Sequence, residues 1–150
     1  MLLKILKGTH PILKTKAEPI PEVTAEIKLL AAQMLATMKV AKGVGMAAPQ
    51  IGRSIQMIVF DTGEEFGILI NPELIQHTVM DIPQMEGCLS FPRKFCMIAR
   101  YEGVEIKYVD LSGNTVVKKF KGLTARIIQH EMDHLVGITM YDRRNENADT

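Results

Sequence analysis

The sequence predicts an α+β protein folded as one domain. Apolar residues recur at helical spacing near the start and again near the end, and several strand-like runs gather between those two stretches. At 150 residues and 47% hydrophobic content, the chain is long enough for one core and too short for two.

The elements follow in order. In residues 21–43, "PEVTAEIKLLAAQMLATMKVAKG", apolar side chains stand at Val23, Ile27, Leu30, Met34 and Met38 among good helix formers. Pro21 and Glu22 suit the first turn, and Gly43 is placed to stop the helix. "GVGMAAPQIGRS" reads as a loop, "IQMIVFD" (55–61) as a buried strand, and "FGILINPEL" (66–74) as another, interrupted by Asn71 and Pro72. "LIQHTVM" alternates loosely after it. Residues 103–121 hold two alternating runs around Ser-Gly-Asn, which predicts a hairpin. A second helix is expected over about 122–136, with Gly137 as its C-terminal stop. The single domain spans 1–150, and the polar residues from about 143 to 150 are expected to fray.

Bulk charge points to no partner. Eighteen basic against seventeen acidic side chains leave a formal charge of +1, which steers the chain neither to nucleic acid nor to anionic lipid. Cys88 and Cys96 are the two cysteines, too few for a disulfide framework, and they suit a reducing compartment. The opening "MLLKILKGTHPILKTKAEPI" is too lysine-interrupted for a secretory segment, and no apolar run approaches a membrane span. A cytoplasmic protein that makes no membrane contact is expected.

The chemistry is concentrated in "RIIQHEMDHLVG" (126–137). On a helix His130 and His134 stand one turn apart on one face, so both imidazoles can meet one ion. Leu123 and Ile127 continue that stripe, which predicts that the face turns inward. Glu131 stands about 100° round from His130 and about 60° from His134, within reach of a water on the ion without being a ligand. Two satisfied core histidines beside a solvated glutamate are the bland alternative, and the intervening glutamate favours the metal.

A catalytic site of this kind needs three protein ligands and one open position. Only sixteen residues follow His134, and Gly137 and Met140 stand where a metallopeptidase would continue its pattern, so the third ligand lies upstream. The candidates are His77, Cys88, Cys96 and several carboxylates. Cys88 in "MEGCLSFP" is favoured, because Gly87 permits close backbone approach and a thiolate suits zinc or ferrous iron. Cys96 reads as a buried small hydrophobe, and His77 as a solvent-facing or edge residue.

Three segments, "GVGMAAPQ" (43–50), "EGCLS" (86–90) and "QHEMDH" (129–134), resemble in that order the three motifs of peptide deformylases. The opening "KILKGTHPILKTKAEPI" is also similar to the family's start, so the resemblance covers essentially the whole chain. It implies an enzyme that removes the formyl group from the N-terminal formylmethionine of nascent polypeptides, releasing formate. It further implies small antiparallel sheets around a central metal-binding helix, and one divalent metal ion, Fe2+ in the cell with Zn2+, Ni2+ or Co2+ as substitutes. By position, Cys88, His130 and His134 match the metal ligands, and Glu131 the acid/base on metal-activated water. Gln50 and the backbone N–H of Leu89 match the groups that stabilise the oxyanion. The peptide is expected along Gly43, Val44, Gly45, Glu86 and Gly87, with Val44, Leu123 and Ile127 forming the methionine pocket. A monomer with the ribosome near the exit tunnel as a further partner completes the expectation.

Three places depart from the family pattern. The chain stops soon after the metal helix, Phe95 stands where many relatives carry arginine, and Arg126 where an aliphatic residue is common. Arg100 matches a family arginine and is expected in a structural ion pair with Glu86. The rival readings are a metallopeptidase cutting internal bonds and a noncatalytic module whose metal is closed off by a fourth ligand, Cys96 or His77.

Overall fold

One strand run, "MIVFD", is apolar on both of its faces, and the architecture follows from it. A computed structural model of the chain describes residues 2–144. The elements are α1 (Ala25–Val40), β1 (Gly45–Ala47), β2 (Met57–Asp61), β3 (Phe66–His77), β4 (Gln84–Cys88), β5 (Phe91–Ile98), β6 (Gly103–Val109), β7 (Thr115–Lys121), α2 (Gly122–Leu135) and α3 (Met140–Arg143). Two 3-10 turns, Pro11–Lys14 and Ala48–Ile51, complete the set. Arg143, where fraying was expected to begin, closes α3, and residues 145–150 of the expected tail lie outside the described residues.

Five strands form an antiparallel sheet in the order β1-β2-β3-β6-β7, and β4 and β5 form a separate two-stranded sheet. Side chains of β2 alternate between two cores. Ile58 and Phe60 pack with Leu69, Ile106, Phe120, Ala125 and Ile128 against α2. Met57 and Val59 pack with Leu30, Met34, Met38 and Ile70 against α1. The two long helices therefore cover opposite faces of one sheet, each buried aliphatic side chain contributing about 1.5–3 kcal/mol.

The helix boundaries shift for local reasons. Thr24, rather than the Pro21 region, starts α1, its hydroxyl accepting from the Ile27 N–H at 3.3 Å. Lys42, not Gly43, takes the left-handed conformation beyond its end, at φ 60°, and the Gly43 N–H returns to Met38 O at 2.9 Å. Gly43 is needed for a different purpose, since a Cβ there would lie 2.6 Å from Leu89 Cδ1.

The predicted hairpin forms as β6 and β7, Val109 opposite Thr115 at its closed end. "FGILINPEL" and part of the loosely alternating run are one strand, β3, whose bulges absorb Asn71 at φ 51° and Pro72. The Asn71 amide clamps the incoming chain, donating to Ile20 O and accepting from Ile20 N–H. Three strands escape the sequence reading: β1, whose composition is that of a loop, and β4 with β5, whose alternation Pro92 and an unpaired stretch interrupt.

Candidate active site and metal centre

Helix α2 carries the site between the large sheet and the small one. Gly137 at φ 75° ends it, with the Ile138 N–H on Asp133 O at 2.9 Å. A Cβ on Gly137 would also lie 2.7 Å from the Lys14 carbonyl, so no other residue fits.

His130 and His134 project from one face of α2, their ring centroids 5.2 Å apart. Cys88 comes to them from the end of β4, its Sγ 3.4 Å from His134 Nε2. One ligand atom from each of the three lies within 4.8 Å of the others. Neither Cys96, buried beside Ile98 and Met140, nor His77, exposed and stacked on Tyr101, joins them. The closed four-ligand site of the noncatalytic alternative is therefore not formed among the described residues.

Glu86 orients this triad. Its carboxylate accepts from His130 Nδ1 at 2.9 Å, from Arg100 Nε and Nη2 at 3.0 and 2.9 Å, and from Arg126 Nη1 at 2.7 Å. Burial opposes ionisation, but those donors, His130 and Arg100 foremost, hold its pKa down at about 2. Because Glu86 takes the Nδ1 side, His130 turns Nε2 toward Cys88. The expected Arg100–Glu86 ion pair is present, and Arg100 also reaches Asp133 at 2.6 Å. Glu86 borders the cleft as expected, but its carboxylate faces inward and offers nothing to a peptide.

The surroundings fit a cation. Burial, His130 and Arg100 push His134 down to about 3, leaving a neutral imidazole. At His130 burial is outweighed by Glu131, Cys88 and Glu86, which raise it, and anions that favour a proton on this ring favour a metal ion there too. A thiolate and two imidazoles are a donor set for a divalent transition metal.

Glu131 is buried, and burial pushes its carboxyl up to about 7. Its Oε1 has no hydrogen-bond partner among the described residues. Gly45 makes room for it, because a Cβ there would stand 2.7 Å from Glu131 Oε2 and from Ile127 Cγ2. Gln50 is fixed at both ends, its Oε1 accepting from Ala47 N–H at 2.9 Å and its Nε2 donating to Ser90 Oγ at 3.1 Å and toward Cys88 Sγ at 3.7 Å. Leu89 follows Cys88 in the turn between β4 and β5.

These groups open on a cleft of about 580 Å³ lined by every sequence-predicted residue except Gln50 and His134, both buried behind it. Val44 and Leu123 line it but are 48% and 61% exposed, so the inward stripe expected of α2 begins at Ile127 and not at Leu123. Leu123 stands on the solvent side of the first turn, while Thr124 and Ala125 beside it are buried. Arg126, an anomaly in the sequence, is a second guanidinium on Glu86 and also donates to Ile98 O at 2.8 Å. Two residues went unnoticed: Ser90, which holds Gln50, and Asp133, which receives Arg100 and Arg143. Arg126, a guanidinium where an aliphatic residue is common, is the sequence signal that a buried acid awaits it.

Comparison with known proteins gives the family. A family model described as polypeptide deformylase matches residues 2–149. Curated relatives include the peptide deformylases of Dictyoglomus thermophilum, 43% identical over 148 residues that cover 99% of this chain and 96% of that one, and of Halothermothrix orenii, 43% identical over 95% and 93%. Among solved structures, the peptide deformylase of Thermotoga maritima superposes with a TM-score of 0.93 at 35% identity, covering 97% of this chain and 99% of its own. That of Synechococcus elongatus in complex with actinonin gives 0.93 at 36%, covering 98% and 81%. With family, relatives and structures in accord across nearly its whole length, the chain belongs to the polypeptide deformylase family.

Proposed function

We propose that Glu131 is the proton carrier, and Gln50 with the Leu89 N–H the oxyanion donors, in the family's reaction: hydrolysis of the formyl amide of N-formylmethionyl nascent peptides. The observation that carries this is a buried carboxyl with an unpartnered oxygen beside a Cys-His-His triad. Cys88, His130 and His134 would hold a divalent ion, which would supply the Lewis acidity that makes a water nucleophilic at neutral pH. Glu131, a buried carboxyl with a free oxygen among the described residues, would take a proton from the attacking water and later deliver it to the departing amine. The formyl C–N bond breaks, leaving formate and a free N-terminus. As charge develops on the formyl oxygen, Gln50 Nε2, already aimed at Cys88 Sγ, and the Leu89 N–H donate to it.

Among the described residues β1 pairs with β2 alone, which leaves one edge open, and Gly43–Gly45 pair there with the extended substrate backbone. Gly87 borders the other side, and Val44, Leu123 and Ile127 receive the methionine side chain. The donor set suits Fe2+ as the cellular ion, with Zn2+, Ni2+ or Co2+ in its place. No helix among the described residues is long and apolar enough to cross a membrane. A cytoplasmic site of action follows from the proposed substrate, a nascent chain. The chain acts as one monomeric catalytic domain, and its substrate, a nascent chain, places it near the ribosomal exit.

The test is formate release from formyl-Met-Ala by anaerobically purified protein of measured metal content, beside Glu131→Gln. The parent releases formate and leaves unformylated peptide intact. The variant retains metal and loses about a thousandfold in turnover. Metal-replete parent protein without activity would refute the assignment.

A further inference from the structure

The mouth of the cleft carries charge of one sign. Lys7, Lys42, Arg93 and Lys94 line it and are exposed, and among the described residues none of them enters an ion pair. The acidic residues of the same lining, Glu86 and Glu131, are both buried. Since the whole chain is only +1, the excess belongs to this rim and not to the surface at large.

The backbone holds two of these cations in place. Cys88 pairs with Phe91, but Gly87 pairs with Phe95, so residues 92–94 stand out of the β4–β5 ladder beside the cleft. Arg93 sits there at φ 61° and Lys42, across the cleft, at φ 60°, a conformation that disfavours side chains beyond glycine. Next to them Met85 and Phe95 are 63% and 65% exposed, and the Phe95 ring lies on Gly87, where a Cβ would approach it to 3.1 Å. An apolar shelf thus adjoins a cationic rim at the place where a peptide bound along β1 leaves the site.

We infer that this rim selects formylated peptides with acidic residues beyond the methionine, the shelf of Met85 and Phe95 supporting an apolar side chain between. The inference rests on the deformylation reading and on its placement of the peptide. An extended chain advances about 3.3 Å per residue, so the third and fourth residues reach the mouth, inside the range of about 8 Å over which physiological salt leaves charges interacting.

The experiment compares kcat/KM for formyl-Met-Leu-Glu-Glu, formyl-Met-Leu-Ser-Ser and formyl-Met-Leu-Lys-Lys at low and high salt. The acidic peptide is favoured over the basic one by about tenfold at low salt, and the preference shrinks as salt rises. In the Arg93→Glu/Lys94→Glu variant the order reverses, an outcome misfolding cannot produce. Turnover of none of the three peptides by metal-replete enzyme would remove the deformylation reading and this inference with it. Equal turnover of all three, with a single-stranded RNA oligonucleotide inhibiting each alike, would keep deformylation, overturn the peptide preference and assign the rim to nucleic acid.

Discussion

α1 and α2 lie on opposite faces of the same sheet, yet they are held by different forces. α1 presents Ile27, Leu30, Ala31, Met34 and Met38, and its burial is favourable wherever it packs. α2 buries Arg126, His130, Glu131, Asp133 and His134 beside its aliphatic residues, and that burial is tolerable only because β4 and the chain after β5 bring Glu86 and Arg100. Three buried side-chain atoms lack a partner among the described residues, Arg126 Nη2, Glu131 Oε1 and His134 Nδ1, and all three belong to α2. The stabilising helix is saturated, whereas the functional one keeps polar capacity in reserve. Chemistry is housed where the fold accepts a local cost.

The strongest way to break this contrast is to remove the hub of the charged network. Glu86→Ala leaves Arg100 and Arg126 buried without their common anion, and it should cost about 3–5 kcal/mol in chemical denaturation. It also frees the His130 ring, so affinity for the metal, read by competition with a chromophoric chelator, should fall about 10–100-fold. A loss under about 1 kcal/mol with affinity intact would mean that the network is ornamental and α2 is held as α1 is.

The matching perturbation on α1 is Met34→Ala, at a fully buried position. It should cost about 2–4 kcal/mol by leaving a cavity, while Met34→Leu costs less than about 1.5 kcal/mol. Metal affinity and kcat/KM per folded molecule should stay at parent values in both, because α2 carries its histidines and Glu131 on the other face of the sheet, and Leu89, the site residue that packs against this core, acts through its backbone N–H. A change in metal affinity would show that the two faces are coupled.

The same contrast explains what was legible in the sequence. α1 and the β6–β7 hairpin follow from periodicity, since their packing obeys one rule along their length. The metal helix was legible because HExxH declares its chemistry, and family resemblance located Cys88 and Gln50. What stayed hidden depends on contacts distant in sequence. Glu86 is expected to line the peptide and to pair with Arg100, but nothing in the sequence shows that Arg126 and His130 share its carboxylate. Leu123 shares the helical stripe of Ile127 yet lies beyond the edge of the core. β1 is a strand because Met46 and Ala47 are held against β2, not because of any propensity of their own.

The smallest test keeps the chemistry of Glu86 and changes only its surroundings. Asp142 accepts from Lys14 Nζ at 2.6 Å and from the Thr139 N–H at 2.9 Å, and these donors, Lys14 foremost, hold its carboxyl below the ordinary 3.8. Both partners are about half exposed, so solvent screens the pair and it contributes only a few tenths of a kcal/mol. A carboxyl lowered by folding adds stability that is complete above its unfolded pKa and disappears as pH falls through the lower folded value. Asp142→Asn should therefore lower the urea midpoint slightly at pH 6, and the gap from the parent should close as pH falls below the ordinary 3.8 and shrink in high salt. If the gap at pH 6 instead approached that of Glu86→Ala, desolvation would not be what separates the two sites, and the contrast between the helices would have to rest on packing alone.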